Sequence, residues 1–332
     1  MTFLKKSITL LAIGLSTVSY AQQMPQYSQY LRNQYMVNPG AAGMYDFLDI
    51  TIGGRMQWLG FETSPRTTYL YASTVLNKPK VRYNPHIRTS QGVIRNPEVQ
   101  TGRLKHAIGG QLLADEYGAY RKLSITGTYA LHIPLSKNYN MSFGVNAGLS
   151  NNAFMQERAM VLTEMGGYSG PAMTDLDYQQ YVLNQGNLNY LDIGAGLFVY
   201  SKNLFFGISA ADLTKSSISF GTGSMNFDPR IHFNGTLGYK FSVSDDVTLM
   251  PALLAKYMAP APLSIEGSLQ IEYKEWLWFG LSYRSSNTAV AMAGLNISEK
   301  FKFGYSFDFS LNPIRNYSVG GHEIVLGLMI GR

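Results

Sequence analysis

"LSITGTYALHI" occupies residues 123–133. Leu123, Ile125, Tyr129, Leu131 and Ile133 fall on one side of an alternation, and Ser124, Thr126, Thr128 and His132 fall on the other. A period of two belongs to a strand, whose successive side chains point to opposite faces. Working outward, "YNMSFGVNAGLS" (139–150) sets Tyr139, Met141, Phe143, Val145 and Leu149 against Asn140, Ser142, Asn146 and Ser150. In "FKFGYSFDFSL" (301–311), Phe301, Phe303, Tyr305, Phe307 and Phe309 oppose Lys302, Ser306, Asp308 and Ser310. Similar runs fall at 47–58, 67–76, 105–115, 120–133, 139–153, 189–200, 203–213, 232–241, 246–258, 262–273, 275–285, 287–297, 299–311 and 322–332. That makes fourteen, an even number, and most have the roughly 9–11 residues a tilted strand needs to cross a bilayer.

A soluble β-sandwich or lipocalin-like barrel also alternates, but it turns its apolar face inward. The composition decides between the two. Charged residues make up 14% of the chain, well below the usual quarter, while Tyr (23), Phe (17) and Gly (33) are abundant. Large aromatics opposed by Ser, Asn, Thr and Gly fit strands whose apolar face meets lipid. A bilayer also demands closure, because every backbone N–H and C=O must find a partner. The expected fold is all-β: a transmembrane antiparallel outer-membrane β-barrel of fourteen strands over residues 46–332. Trp58, Tyr69, Tyr139, Tyr190, Tyr257, Tyr273 and Trp276 lie at strand ends and suit the two aromatic girdles of such a barrel.

The connections alternate too. "PLSKN", "SKN", "SVSDD", "YKEW" and "SEK" are short and carry turn chemistry. The other set contains the long segments 154–188, 214–231 and 312–321. Short turns on one side and long loops on the other place the short side, and both barrel termini, in the periplasm. Residues 77–104 break the rule, being long but on the short-turn side. At the N-terminus, Lys5 and Lys6 precede an apolar run from Ser7 to Val18, and Ser19 and Ala21 suit cleavage after Ala21. Residues 1–21 therefore read as a signal peptide and 22–45 as an N-terminal periplasmic or luminal segment. The chain has no Cys, so disulfides and Cys-ligated metals are excluded.

Extending the alternation turns Asp49, Arg55, Asp192, Lys240, Lys256, Glu266, Glu272, Arg284, Lys302 and Asp308 into the lumen, with Gly194, Gly196, Gly207, Gly238 and Gly304 making room. Mixed charges can pair across a barrel interior, which favours a filled lumen over a solute channel. Residues 77–103 carry Lys78, Lys80, Arg82, Arg88, Arg95 and Arg103 against Glu98, a net +5. This run is either a solvated loop or a docking surface for an acidic periplasmic partner or lipid headgroups. Loop 154–188 has Glu157, Glu164, Asp175 and Asp177 against Arg158, a net −3 on the outer side. The absence of a basic patch interleaved with aromatics argues against nucleic-acid binding. The five histidines form no metal spacing, and no G-x-S-x-G is present. His322 and Glu323 are adjacent and so point to opposite faces. No enzyme activity and no cofactor are expected.

The stretch "QYSQYLRNQYMVNPGAAG" (26–43) has a different character. Tyr27, Tyr30, Leu31 and Tyr35 are spaced to share one face of a short helix. Asn38-Pro39-Gly40 then ends it, since proline disfavours helix at the residue before it. The expectation is a short helix or turn packing its aromatic face into the periplasmic mouth or lumen.

These residues carry a resemblance. Gln26, Ser28, Gln29 and Tyr30, followed by Asn38, Pro39, Ala42 and Gly43, resemble the N-terminal signature of the PorP/SprF family of type IX secretion system outer-membrane proteins. Arg55, Gln57 and Trp58 are similar to that family's "R-x-Q-W" element, and Pro65 and Thr67 to the "P-x-T" that follows. "GGHEIVLGLMIG" resembles its terminal strand through His322, Glu323 and Ile324, with Gly321 where Ser is common. The resemblance spans the mature chain. It implies an outer-membrane component of type IX secretion, with three kinds of partner: outer-membrane lipid, periplasmic secretion-machinery lipoproteins, and a secreted cargo protein or its C-terminal domain. Such proteins are linked to export or surface anchoring of cargo, including gliding adhesins. A passive porin or small-molecule transporter is the alternative reading of the same barrel.

Overall fold

The computed structural model describes residues 25–77, 99–155, 158, 187–215, 219–220, 229–298 and 300–331. The sequence readings at residues 1–21, at Lys78, Lys80, Arg82, Arg88 and Arg95, and at Glu157, Glu164, Asp175 and Asp177 lie outside the described residues.

Fourteen strands form one closed antiparallel ring. In chain order they are β1 (Leu48–Leu59), β2 (Arg66–Val75), β3 (Lys105–Tyr117), β4 (Tyr120–Pro134), β5 (Asn140–Phe154), β6 (Asn187–Tyr200), β7 (Leu204–Ala211), β8 (His232–Tyr239), β9 (Val247–Tyr257), β10 (Ser264–Tyr273), β11 (Leu277–Arg284), β12 (Thr288–Asn296), β13 (Phe301–Ser310) and β14 (Gly320–Ile330). Each pairs with its successor. β14 returns to β1 in a register that runs from Leu48 opposite Ile330 to Leu59 opposite Gly320, leaving no open edge. Two-residue pieces add to the wall: Phe241–Ser242 pairs with β9, and Ser219–Phe220 pairs with β6. The Tyr117–Tyr120 hairpin turns on Gly118, whose φ of +57° puts a glycine at the left-handed first position of a tight turn.

The polarity is inside out. Ile125 is 58% exposed and Leu281 68%, whereas their neighbours Thr126 and Ser282 are 6% and 7% exposed. An all-round belt of exposed Leu, Ile, Val, Phe and Tyr is what a barrel presents to hydrocarbon. The alternation read from the sequence holds on β4, β5 and β13. Two of the aromatics expected in the girdles do not belong there. Tyr69 is 1% exposed and Tyr190 fully buried, both facing the lumen. Their parity explains this: Tyr190 shares its face with inward Asp192, and Tyr69 with inward Thr67.

Both barrel termini, Leu48 and Ile330, lie at the end with the short turns. The segment from Pro25 to Phe47 fills the lumen. Pro25 sits toward the opposite, long-connection end, where its carbonyl accepts from Lys256 Nζ at 3.1 Å. The chain then descends to Met44, whose carbonyl accepts from Lys105 at the short-turn end. The sequence predicts a short helix or turn with Tyr27, Tyr30, Leu31 and Tyr35 on one face; these four residues do not share one helical face. Turns cover 28–32, a one-turn helix α1 covers Gln34–Val37, and a 3-10 turn covers Pro39–Ala41. A segment enclosed by wall has no solvent side, so its four anchors reach different walls. Tyr27 packs edge-on to Tyr69 at 5.2 Å between ring centres, Tyr30 donates to Ser268 at 3.1 Å, and Tyr35 donates to Thr128 at 2.8 Å. Leu31 is buried with them. Asn38 is extended (φ −145°, ψ 116°), as a residue before proline must be, and its Oδ1 accepts from Gly40 N.

Candidate functional site

Two devices let the lumen hold this plug. The first is missing side chains. A Cβ at Gly196 or Gly207 would strike the Asn38 side chain, at Gly144 the Pro39 carbonyl, at Gly304 Gln29, and at Gly109 the Tyr35 hydroxyl. The dents match the plug residue by residue. Asn38 lies in the first of them and donates from Nδ2 to Leu197 O at 2.9 Å and Ile208 O at 3.1 Å.

The second device is a buried charge cluster that joins the plug to β1, β10, β11, β13 and β14. Arg55 Nη2 lies 2.7 Å from Asp308 Oδ2, and its Nη1 lies 3.5 Å from Glu323 Oε2. Ser28 stands among them. Its backbone N–H donates to Glu323 at 2.6 Å, its hydroxyl donates to Asp308 at 2.8 Å, and the hydroxyl oxygen accepts from Arg55 at 2.5 Å. Arg284 extends the cluster to Glu266 at 2.8 Å and Asp308 at 3.4 Å, and Tyr69 donates to the second oxygen of Glu323. All these side chains are buried. Charges out of water persist only where each is paired and hydrogen-bonded. The plug supplies part of that satisfaction.

Lower in the lumen the pattern repeats on a smaller scale. Arg32 pairs with Glu272 at 2.8 Å and lies 5.0 Å above the Trp278 ring. Asn33 donates to Tyr69, and Lys302 pairs with Asp49 at 2.9 Å. His132 Nε2 donates to Ala42 O at 2.8 Å, and its Nδ1 lies 2.9 Å from the Tyr200 hydroxyl.

The structure therefore gathers Tyr27, Tyr30, Leu31, Tyr35, Asn38 and Pro39 in the lumen, all buried. Of the basic residues singled out in the sequence, Arg103 is the described one. It pairs with Asp46 at the foot of the plug and donates to Asn77 O at 2.8 Å. Sequence reasoning missed Glu323 as an anchor; it set His322 and Glu323 on opposite faces without saying which of them faces the lumen. His322 itself faces outward, 2.6 Å from Tyr305. It also missed that the motif residues Ser28, Arg55 and Glu323, far apart in the chain, meet at one point. Among the described residues no three His, Asp or Glu side chains gather in a way that would hold a metal ion.

A closed ring of lipid-facing strands around a polar, plugged lumen defines an outer-membrane β-barrel. Solved structures of similar shape are barrels as well. The CymD monoaromatic hydrocarbon channel aligns with a TM-score of 0.48 at 11% identity, covering 90% of this chain and 91% of that one. The toluene transporter TodX of Pseudomonas putida aligns at 0.43 and 10%, covering 93% and 94%. The translocator domain of NalP from Neisseria meningitidis aligns at 0.43 and 10%, covering 92% and 95%. These likenesses are weak, and the barrel assignment rests on the pairing above. No curated protein matches the sequence. The chain belongs to the PorP/SprF family of type IX secretion system membrane proteins, whose model matches residues 19–328.

Proposed function

We propose that this barrel acts in type IX secretion by recognising proteins, supporting export or surface anchoring of cargo, and not by passing small solutes. The observation that carries this reading is the plug. Residues 25–47 cross the lumen and bury their side chains against several walls, which disfavours a diffusion pore. Recognition then falls to the two rims. The short-turn end, with the connection 76–104 and its basic residues, would meet periplasmic secretion-machinery lipoproteins. The long connections 155–186 and 212–231 at the other end would meet secreted cargo or its C-terminal domain. The plug tyrosines are enclosed, so they would support this recognition by shaping the barrel rather than by touching a partner.

The test is recovery of partners from mild detergent, with the intact chain and with residues 156–186 replaced by a short turn. Loss of cargo with retention of machinery lipoproteins is the expected result. Unchanged cargo recovery would remove the outer-loop half of the reading.

A further inference from the structure

The plug is held differently along its length. Ser28 is bound by side chains of the wall strands β1, β13 and β14, where Arg55 and Asp308 keep 2% and 6% of their side-chain surface exposed. At the foot the wall supplies His132, to Ala42 O at 2.8 Å, and Lys105, to Met44 O at 3.1 Å and Asp46 at 3.4 Å. The two shorter contacts of Asp46 come from a connection instead. Its Oδ2 accepts from the backbone N–H of Gln100 at 3.2 Å, and its Oδ1 pairs with Arg103. Arg103 and Asp46 keep 25% and 10% of their side-chain surface. A pair that touches water gives up its partner at less cost than a buried one.

Residues 99–103 lie outside the strands. They reach from the plug foot to the β4–β5 turn. Val99 is buried in the same apolar cluster as Met44. The Thr101 hydroxyl donates to Lys137 O at 3.0 Å, Gly102 N–H to Asn140 Oδ1 at 2.8 Å, and Asn140 Nδ2 to Arg103 O at 2.9 Å. Gly102 has a φ of +78°, and a Cβ there would lie 2.8 Å from Lys137 O, so this close approach needs glycine. The start of β3 is pinned separately. Asn77 donates to Leu104 O at 2.9 Å and accepts from His106 N–H at 3.0 Å. The segment can therefore swing away without breaking the pairing of β3.

We propose that residues 99–103 are a latch on the plug, with Asp46 as its catch. Engaged, the latch holds the foot against the β4–β5 turn. Drawn away, it frees Asp46 and uncovers the residues beside it, while the strand ladder and the Ser28 cluster stay whole. The plug loosens from its foot, at the short-turn end, before its upper part moves.

The chain has no Cys, so a single introduced thiol reports locally. Met44→Cys places one at the foot and Leu31→Cys one higher in the plug, at positions 6% and 5% exposed. The test is the rate of maleimide labelling of the folded full chain in detergent. Arg103→Met should raise the rate at position 44 by about tenfold or more, as loss of a charged hydrogen bond implies, and change it at position 31 by less than about twofold. Asp46→Asn should act in the same direction at both positions. Thr101→Val loosens the other end of the latch and should raise the rate at 44 by about threefold; it carries no charge change and serves if a charge variant fails to fold. An unchanged rate at 44 in the variants that fold would show that the segment does not hold the foot. An equal rise at 31 would show that the plug loosens as one body. Either result overturns the latch.

Discussion

At Ser28 a backbone N–H and a hydroxyl meet two buried carboxylates and a buried guanidinium inside the lumen. The balance is fragile because each member depends on the others. Arg55→Met should destabilise the barrel by about 3–5 kcal/mol, since it leaves Asp308 and Glu323 buried without their main counter-charge. Reversible urea unfolding in detergent, followed by tryptophan fluorescence, checks this. The glycine dents give a sharper contrast. Gly196→Ala drives a methyl into the Asn38 amide and should cost about 1–3 kcal/mol, whereas Gly54→Ala, on the outer face with nothing within 4 Å, should be near neutral. At this scale the sequence was half legible. Parity told which face Asp49, Arg55 and Asp308 occupy, because a strand allows two choices. It could not tell that Asn38 fits opposite Gly196, because contacts across a lumen have no period in the chain. Tyr69 shows how residue type can mislead: a large aromatic near a strand end suits a girdle, but a wide lumen also needs filling.

The strands were legible as elements because each is bounded by turn chemistry and each buries one face alone. The faces of the plug were not, because amphipathic spacing presumes one apolar side and one wet side, and a segment enclosed on all sides has neither. Its four anchors, Tyr27, Tyr30, Leu31 and Tyr35, were identified as an apolar set, but the shared helical face was an artefact of that presumption. The element makes its own prediction. Removing residues 25–44 should convert a barrel with little steady conductance in planar bilayers into one that conducts continuously. Equal conductance with and without the segment would show that the plug does not close the lumen. At the short-turn end, Lys274 and Glu275 both have positive φ, 52° and 55°, in an exposed hairpin. Glu275→Gly should raise stability by roughly 1 kcal/mol, because a left-handed conformation penalises any residue with a Cβ. The same urea unfolding measures it.

For the molecule as a whole, the absence of cysteine is an experimental opening. Lys202→Cys and Ser286→Cys place single thiols at opposite ends of the barrel. With the short turns in the periplasm, a membrane-impermeant maleimide added to intact cells should label position 286 and spare 202; the reverse would invert the orientation. The closure itself carries a further consequence for how the molecule is made. The strand that seals the ring, β14, brings Glu323, and Glu323 takes its hydrogen bond from Ser28, a residue near the other end of the chain. A ring that shut before the first-made segment had settled inside would trap a carboxylate with a lost partner and several hollows with no occupant. The last strand thus reads the position of the first segment, and a misordered closure carries its own energetic penalty.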